Sequence, residues 1–188
     1  MTTTRRIELC EGFVNVFRNN VLTKKIGPFA TLTDLYRALN PNYPKFYKMD
    51  PLCKTAFIAA ELALEGLCPE EKSENLDIII FTHSGCIASD KAFEDSIREP
   101  DNSFPSPAIF VYTLPNIMAG EIAIRHKVYG ETSVYCGEYS DLLIDQHLSA
   151  NPTRWLLAGQ LEALSDRFDS TQNSPRAIFS LHQPSEIQ

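Results

Sequence analysis

The run "LDIIIFTHSG" at 76–85 constrains the fold more than any other part of the chain. It is a short, almost unbroken apolar segment bounded by polar residues and by Gly85, the pattern of a strand covered on both faces in a parallel sheet. The rest of the chain must then supply helices to cover it.

The flanking segments read accordingly. From Ile7 to Ile26 the residues alternate around Asn19-Asn20, which predicts an N-terminal hairpin. Thr31 before "LTDLYRAL" gives a capping residue and helical apolar spacing, closed by Asn40-Pro41. Asp50 as cap, Pro51 in the first turn and "LCKTAFIAAELALEG" predict a largely buried helix terminating at Gly66. A helix over "SDKAFEDSIRE", a Pro-rich turn "PDNSFPSPAIF" and a helix over "LPNIMAGEIAIRHKVYG" stopped by Gly130 follow. A strand ending at Cys136 then runs straight into a helix, and "TRWLLAGQLEAL" and "RAIFSLHQ" supply two more strands. The alternation predicts a single α/β domain over residues 1–188, with right-handed crossovers. Its sheet is expected to be mixed, mostly parallel and of about five strands, covered by helices.

With 188 residues, 44% of them hydrophobic, the chain can bury one sizeable core. No run of about eighteen apolar residues occurs and no apolar block follows the basic pair near the N-terminus, so the expectation is a cytoplasmic protein without membrane contact. A net charge of −7 argues against nucleic acid as a partner. The five cysteines, Cys10, Cys53, Cys68, Cys86 and Cys136, show neither a CxxC pair nor zinc-ligand spacing, so buried free thiols, no metal and no cofactor are expected. One local exception to the acidity is Lys45, Lys48 and Lys54, interleaved with Tyr43, Phe46 and Tyr47, a candidate docking face for an anionic partner.

The segment "SPAIFVYTLPNIMAGEIAIRHKVYGETSVYCGEYSDLLIDQ" resembles the N-terminal half of a β-ketoacyl synthase, through Ser106-Pro107, Asn116, Ala119-Gly120, Arg125 and Gly130. Downstream, "RWLLAGQLEAL" is similar to the family's next strand, keeping Gly159 and Glu162 but carrying Gln160 where the family has a second glycine, and "KMDPLCKTAFIAAELAL" resembles its early helix. The resemblance implies a thiolase-like half-domain. The synthases carry two cysteines three residues apart in the strand, the second being the nucleophile at the helix start; Cys136 matches the first and Tyr139 the second. A phenol with an ordinary pKa of about 10 is a poor acyl acceptor, so the nucleophile is missing. The family's catalytic histidines and lysine belong to a C-terminal half that has no counterpart here, and His83, His126, His147 and His182 match none of its motifs. For Cys136 itself, Glu138 and Asp141 oppose a thiolate, which leaves an inert, packed cysteine as the expected reading.

The resemblance therefore implies a non-catalytic partner or binding subunit in fatty-acid or polyketide-type, acyl-carrier-protein-dependent biosynthesis, with the carrier protein as a further partner. It also implies a homodimer or a heterodimer with a β-ketoacyl synthase-like subunit, joined through Thr132, Ser133, Val134, Tyr135 and Cys136, the uncharged strand "TSVYC". The alternatives are an active 3-oxoacyl synthase or acyltransferase that uses Cys136 or a partner's groups, and a structural or small-ligand protein without acyl chemistry.

Overall fold

The computed structural model describes residues 3–98 and 105–185. It opens with three antiparallel strands, β1 (Thr3–Cys10), β2 (Phe13–Arg18) and β3 (Val21–Ile26), where the sequence predicts two. The Asn19-Asn20 turn forms as expected; the additional turn is at Glu11-Gly12, both with positive φ (51° and 77°). Helix α1 (Leu32–Leu39) is capped by Thr31, which accepts from the Asp34 N–H at 3.1 Å, and ends at a left-handed Asn40. Helix α2 (Pro51–Ala63) starts at Asp50, which accepts the Cys53 N–H at 2.8 Å. It ends before Gly66, which, with φ +83°, turns the chain just beyond it. The short α3 (Pro69–Ser73) leads to β4 (Leu76–Thr82), buried at every residue.

Helix α4 (Ile87–Ile97) follows, and the Pro-rich stretch after it lies partly outside the described residues. Helix α5 (Pro107–Phe110) and a 3-10 turn at Val111–Thr113 precede α6 (Asn116–His126). Helix α6 is ended by Lys127 in the left-handed region and not by Gly130. Gly130 is needed for a different reason: a Cβ there would stand 2.1 Å from the Leu76 carbonyl oxygen and 2.5 Å from Asp77 Oδ1. Strand β5 (Thr132–Cys136), α7 (Asp141–Ala150), β6 (Trp155–Glu162) and β7 (Arg176–His182) complete the chain.

The seven strands form one sheet in the order β3-β2-β1-β7-β6-β4-β5. This is the expected α/β class with a mixed sheet, but seven strands replace about five, and only the β4–β5 and β4–β6 pairs are parallel. Parallel pairing needs a crossover connection, which α4 to α6 supply between β4 and β5 and α7 supplies between β5 and β6; the meander and the loop before β7 give antiparallel neighbours. One face, with Ile7, Leu9, Ile78, Ile80, Leu157 and Phe179, packs on α2 and α6. The other carries Ile79, Phe81, Leu156 and Ala158 under Ile144 and Leu148 of α7, so α7 covers β4 and β6 while Arg176 and Ile178 of β7 stay exposed. Gly159 of β6 makes room for the buried Phe179 ring of β7, which an added Cβ would meet at 2.7 Å. Arg5, buried in β1, donates to the carbonyls of Leu62 at 3.1 Å and Ala63 at 3.0 Å, satisfying the free end of α2.

Asp77, almost fully buried on β4, ties three other segments to that strand. It takes two bonds from Arg154, at 2.8 Å and 2.7 Å, one from the Glu131 N–H at 2.8 Å, and a contact of 3.0 Å from His147 Nε2. Burial opposes its charge, but the bonds from Arg154, Glu131 and His147 prevail and lower its pKa. Asp77→Asn is expected to lower the unfolding free energy at neutral pH by about 3 kcal/mol, because it leaves Arg154 without its carboxylate. A carboxyl held low stabilises fully above its unfolded pKa of about 3.9, and that stability is lost as the pH falls through the lower folded value. Urea titrations of both proteins should therefore show the gap full at neutral pH and closing in strong acid.

Candidate functional site

The connection after β4 leaves on the α2 side, where Ser89 of α4 donates to Asp50 at 2.7 Å, while β5 leads into α7 on the opposite face. Connections that depart to opposite faces open a crevice at the carboxyl ends of the strands between them, the usual place for chemistry in such sheets. Here the crevice is formed by residues 82–86 after β4 and 136–140 after β5.

The first of these loops is fixed by Glu162 at the end of β6. Its carboxylate accepts the His83 N–H at 2.5 Å, the Ser84 N–H at 3.2 Å and the Ser84 hydroxyl, while the Thr82 hydroxyl lies at 3.4 Å and itself accepts the Gly85 N–H at 3.2 Å. Ser84 is thus engaged as a loop anchor and is not presented as a nucleophile. The His83 ring is mostly exposed, with Nδ1 3.2 Å from Glu138 Oε1. Sequence reasoning kept Glu162 as a family match without a role; its partners lie on another strand, beyond the reach of any local pattern.

Tyr139 sits where the nucleophile is expected, but before the helix and not at its start. Ser140 is the cap, accepting the Leu143 N–H at 3.2 Å, and α7 begins at Asp141. The Tyr139 ring lies 5.0 Å from Phe81, which also stacks on Tyr135 at 5.3 Å, so the three rings close over the end of β4. Burial, then Asp141 and Asp145, raise the Tyr139 pKa and keep the phenol neutral. A neutral, ring-packed phenol cannot accept an acyl group at neutral pH. Beside these rings a groove of about 270 Å³ runs along the open part of the sheet, bordered by His83, Gln160, Arg176 and Ile178.

Cys136 departs from expectation: it is exposed at the end of β5 and not packed. The side chain of an edge-strand terminus has no second layer to cover it. Cys10 and Cys68 are exposed too, whereas Cys53 and Cys86 are buried. Burial, then Asp50, push the Cys86 thiol up to about 12 and raise Cys53 well above the ordinary range.

The three lysines do not make one basic face. Lys54 is buried on α2, with Nζ 2.5 Å from Asp166 Oδ2, and Lys45 pairs with the buried Glu121, which also accepts the Tyr43 hydroxyl at 2.9 Å. Lys48 alone of the three is exposed without an ion pair among the described residues. The acids responsible lie far along the chain, so the local spacing of lysines could not reveal them. At the opposite end of the sheet a larger cleft, of about 960 Å³, opens beside Glu61, Arg125 and His126. Arg125 holds Glu61 by bonds of 2.9 Å and 3.2 Å. Burial opposes the Glu61 charge, yet the His126 ring, with Nε2 3.0 Å from Oε1, and the bonds from Arg125 bring its pKa down to about 2.

Native alkylation with iodoacetamide at neutral pH, followed by peptide mass spectrometry, should label Cys10, Cys68 and Cys136, and label Cys53 and Cys86 only once denaturant is added.

The sequence matches no family model. It likewise matches no curated protein. Solved structures do match the fold. A chain of the complex of a ketosynthase with its chain length factor from Xenorhabdus doucetiae aligns over 98% of this chain and 80% of that one, at 12% identity and a TM-score of 0.62. A β-ketoacyl synthase from Burkholderia phymatum aligns over 78% of this chain at 14% identity and a TM-score of 0.54. The ishigamide ketosynthase/chain length factor aligns over 76% at 17% identity and a TM-score of 0.50. This chain spans 45% of each of the latter two. The sheet and its helices thus have the thiolase-like fold seen in these ketosynthase and chain length factor structures, over less than half the length of two of them.

Proposed function

We propose that the chain is a non-catalytic partner subunit of a ketosynthase-like protein in acyl-carrier-protein-dependent biosynthesis of the fatty-acid or polyketide type. The observation that carries this reading is Tyr139, a neutral phenol packed on Phe81 at the position where the resemblance calls for a nucleophilic cysteine. Two of the structures with this fold are described as ketosynthase and chain length factor together, and one matched chain is itself not much longer than this one. A subunit that lends surface and not chemistry fits both facts.

The surface lent first is the edge of β5, which is the last strand of the sheet. Ile78 N–H donates to Glu131 C=O at 2.8 Å, and Gly137 N–H donates to Thr82 C=O at 2.9 Å. In a parallel ladder alternate residues face the same neighbour, so Ser133 and Tyr135 bond β4 while Thr132, Val134 and Cys136 turn their N–H and C=O groups to the open edge. The Val134 side chain packs on the core, so a charge at that position would damage the fold as well as the edge. Proline is the sharper probe, since on an edge strand it removes only an outward N–H.

Incubated with acyl-carrier-protein thioesters, the purified chain should form no acyl adduct and no condensation product by intact-protein mass spectrometry; an adduct that vanishes in Cys136→Ala would establish the catalytic alternative. Val134→Pro should keep the fold by circular dichroism and lose association with the partner, whereas Tyr135→Pro should lose the fold with it. Size-exclusion chromatography with light scattering reads both.

A further inference from the structure

The loop after β4 and the end of β5 bring two cysteines to the same corner of the sheet. Cys136 pairs with Thr82 in the parallel register, and both connections are tied to that threonine: its C=O accepts the Gly137 N–H at 2.9 Å and its hydroxyl accepts the Gly85 N–H at 3.2 Å. The chain leaving β4 therefore folds back over the strand end. Side chains alternate along a strand, so Cys136 shares the face of Val134, which packs on the core cluster that contains Cys86. A Cβ built on Gly85 would lie 3.7 Å from Cys136 Sγ. Neighbouring Cα atoms are about 3.8 Å apart, so Cys86 is the next residue along from a backbone that already borders the Cys136 sulfur. Gly85 has φ +57° and no side chain, which leaves this turn free to adjust to the roughly 4.4–6.8 Å between Cα atoms that a disulfide requires.

We propose that Cys136 and Cys86 form a reversible oxidation site, at which a hydroperoxide converts the two thiols into a disulfide. The two residues divide the work. Cys136 is exposed and meets the oxidant, whereas Cys86, buried at the start of α4, is reached only from within. Burial, then Asp50, Asp90 and Cys136, hold the Cys86 thiol protonated, and a protonated, inaccessible thiol is spared direct oxidation. In the first step the Cys136 sulfur takes one peroxide oxygen and the O–O bond breaks, giving a sulfenic acid at Cys136 and releasing an alcohol, or water from hydrogen peroxide. In the second the Cys86 sulfur attacks the Cys136 sulfur, the S–O bond breaks, and the departing hydroxide leaves as water with the Cys86 proton. One hydroperoxide is reduced by two electrons and two thiols are oxidised to one disulfide, which a small thiol reverses by exchange. The bond joins the two walls of the crevice, residues 82–86 and 136–140, and holds them together while oxidised. Cys10, at the end of β1, and Cys68, before α3, are exposed on other elements and serve as internal controls.

The test is to treat the reduced, purified chain with hydrogen peroxide, block the remaining thiols with iodoacetamide in denaturant, and map the peptides by mass spectrometry without reduction. One internal link is expected, Cys86 to Cys136, with the loss of two hydrogens and full reversal by dithiothreitol. Labelling of Cys136 by iodoacetamide in the native state should vanish on oxidation and return on reduction. Cys136→Ser, at an exposed position, should abolish the link without changing the circular dichroism spectrum, and Cys86→Ser should leave a Cys136 sulfenic acid that dimedone traps. The proposal is overturned if dimedone traps Cys136 in the parent chain as fully as in Cys86→Ser. It is also overturned if Cys136 is found joined to a second copy, if Cys86 is found joined to Cys53, or if Cys136 reaches the sulfinic acid while Cys86 stays free. Should Cys86→Ser fail to fold, the peptide map of the parent chain decides alone.

Discussion

The Asp77 carboxylate is the interaction on which the parallel half of the sheet depends. It is placed at the start of β4, where the entry to β5, the body of α7 and the entry to β6 converge, and each sends it a donor. Three crossing segments are brought to one register by one charged group. Gly130 belongs to the same device, because any side chain there would push Glu131 away from the carboxylate. A buried charge is tolerable only when its lone pairs are filled, and here they are filled by groups that must come from different elements. The sheet is thereby given one arrangement of these strands in preference to others.

At the other end of the same strands Glu162 performs a comparable task for the loop after β4, holding two backbone amides and a hydroxyl. Together the two carboxylates stiffen both ends of the crevice-forming strands. What lies between them has been given to packing: Phe81, Tyr135 and Tyr139 form an aromatic cluster where a thiolate would need polar donors and space. The strand, short turn and capped helix thus carry a packed phenol, Tyr139, at this point.

Much of this was legible in the sequence because the signals are local. The cap at Asp50-Pro51, the cap at Thr31, the unbroken apolar run of β4 and the passage from β5 to α7 all depend on residues within a few positions of each other. The expectations that failed depend on distance. Lys54 reads as a surface lysine until Asp166, more than a hundred positions away, is brought beside it. Gly130 reads as a helix stop because its true neighbour, the Leu76 carbonyl, belongs to another strand. Cys136 reads as packed from residue type, but its exposure is decided by its place at the end of an edge strand. The balance of parallel and antiparallel pairs was misjudged for the same reason, since the position of β7 between β1 and β6 is written in no single segment.

That position of β7 has a consequence for how the chain reaches its native state. Among the described strands, the first three pair with the remaining four only where β1 meets β7, with Ile7 opposite Phe179. The meander made first must therefore wait, apolar side chains in hand, for the strand made last, and the link between the two halves of the sheet closes the largest loop the described chain contains. Contacts of such long sequence separation slow folding. A ribosome-bound chain that has emerged as far as β6 has its parallel strands and its meander, and still lacks the one piece that joins them.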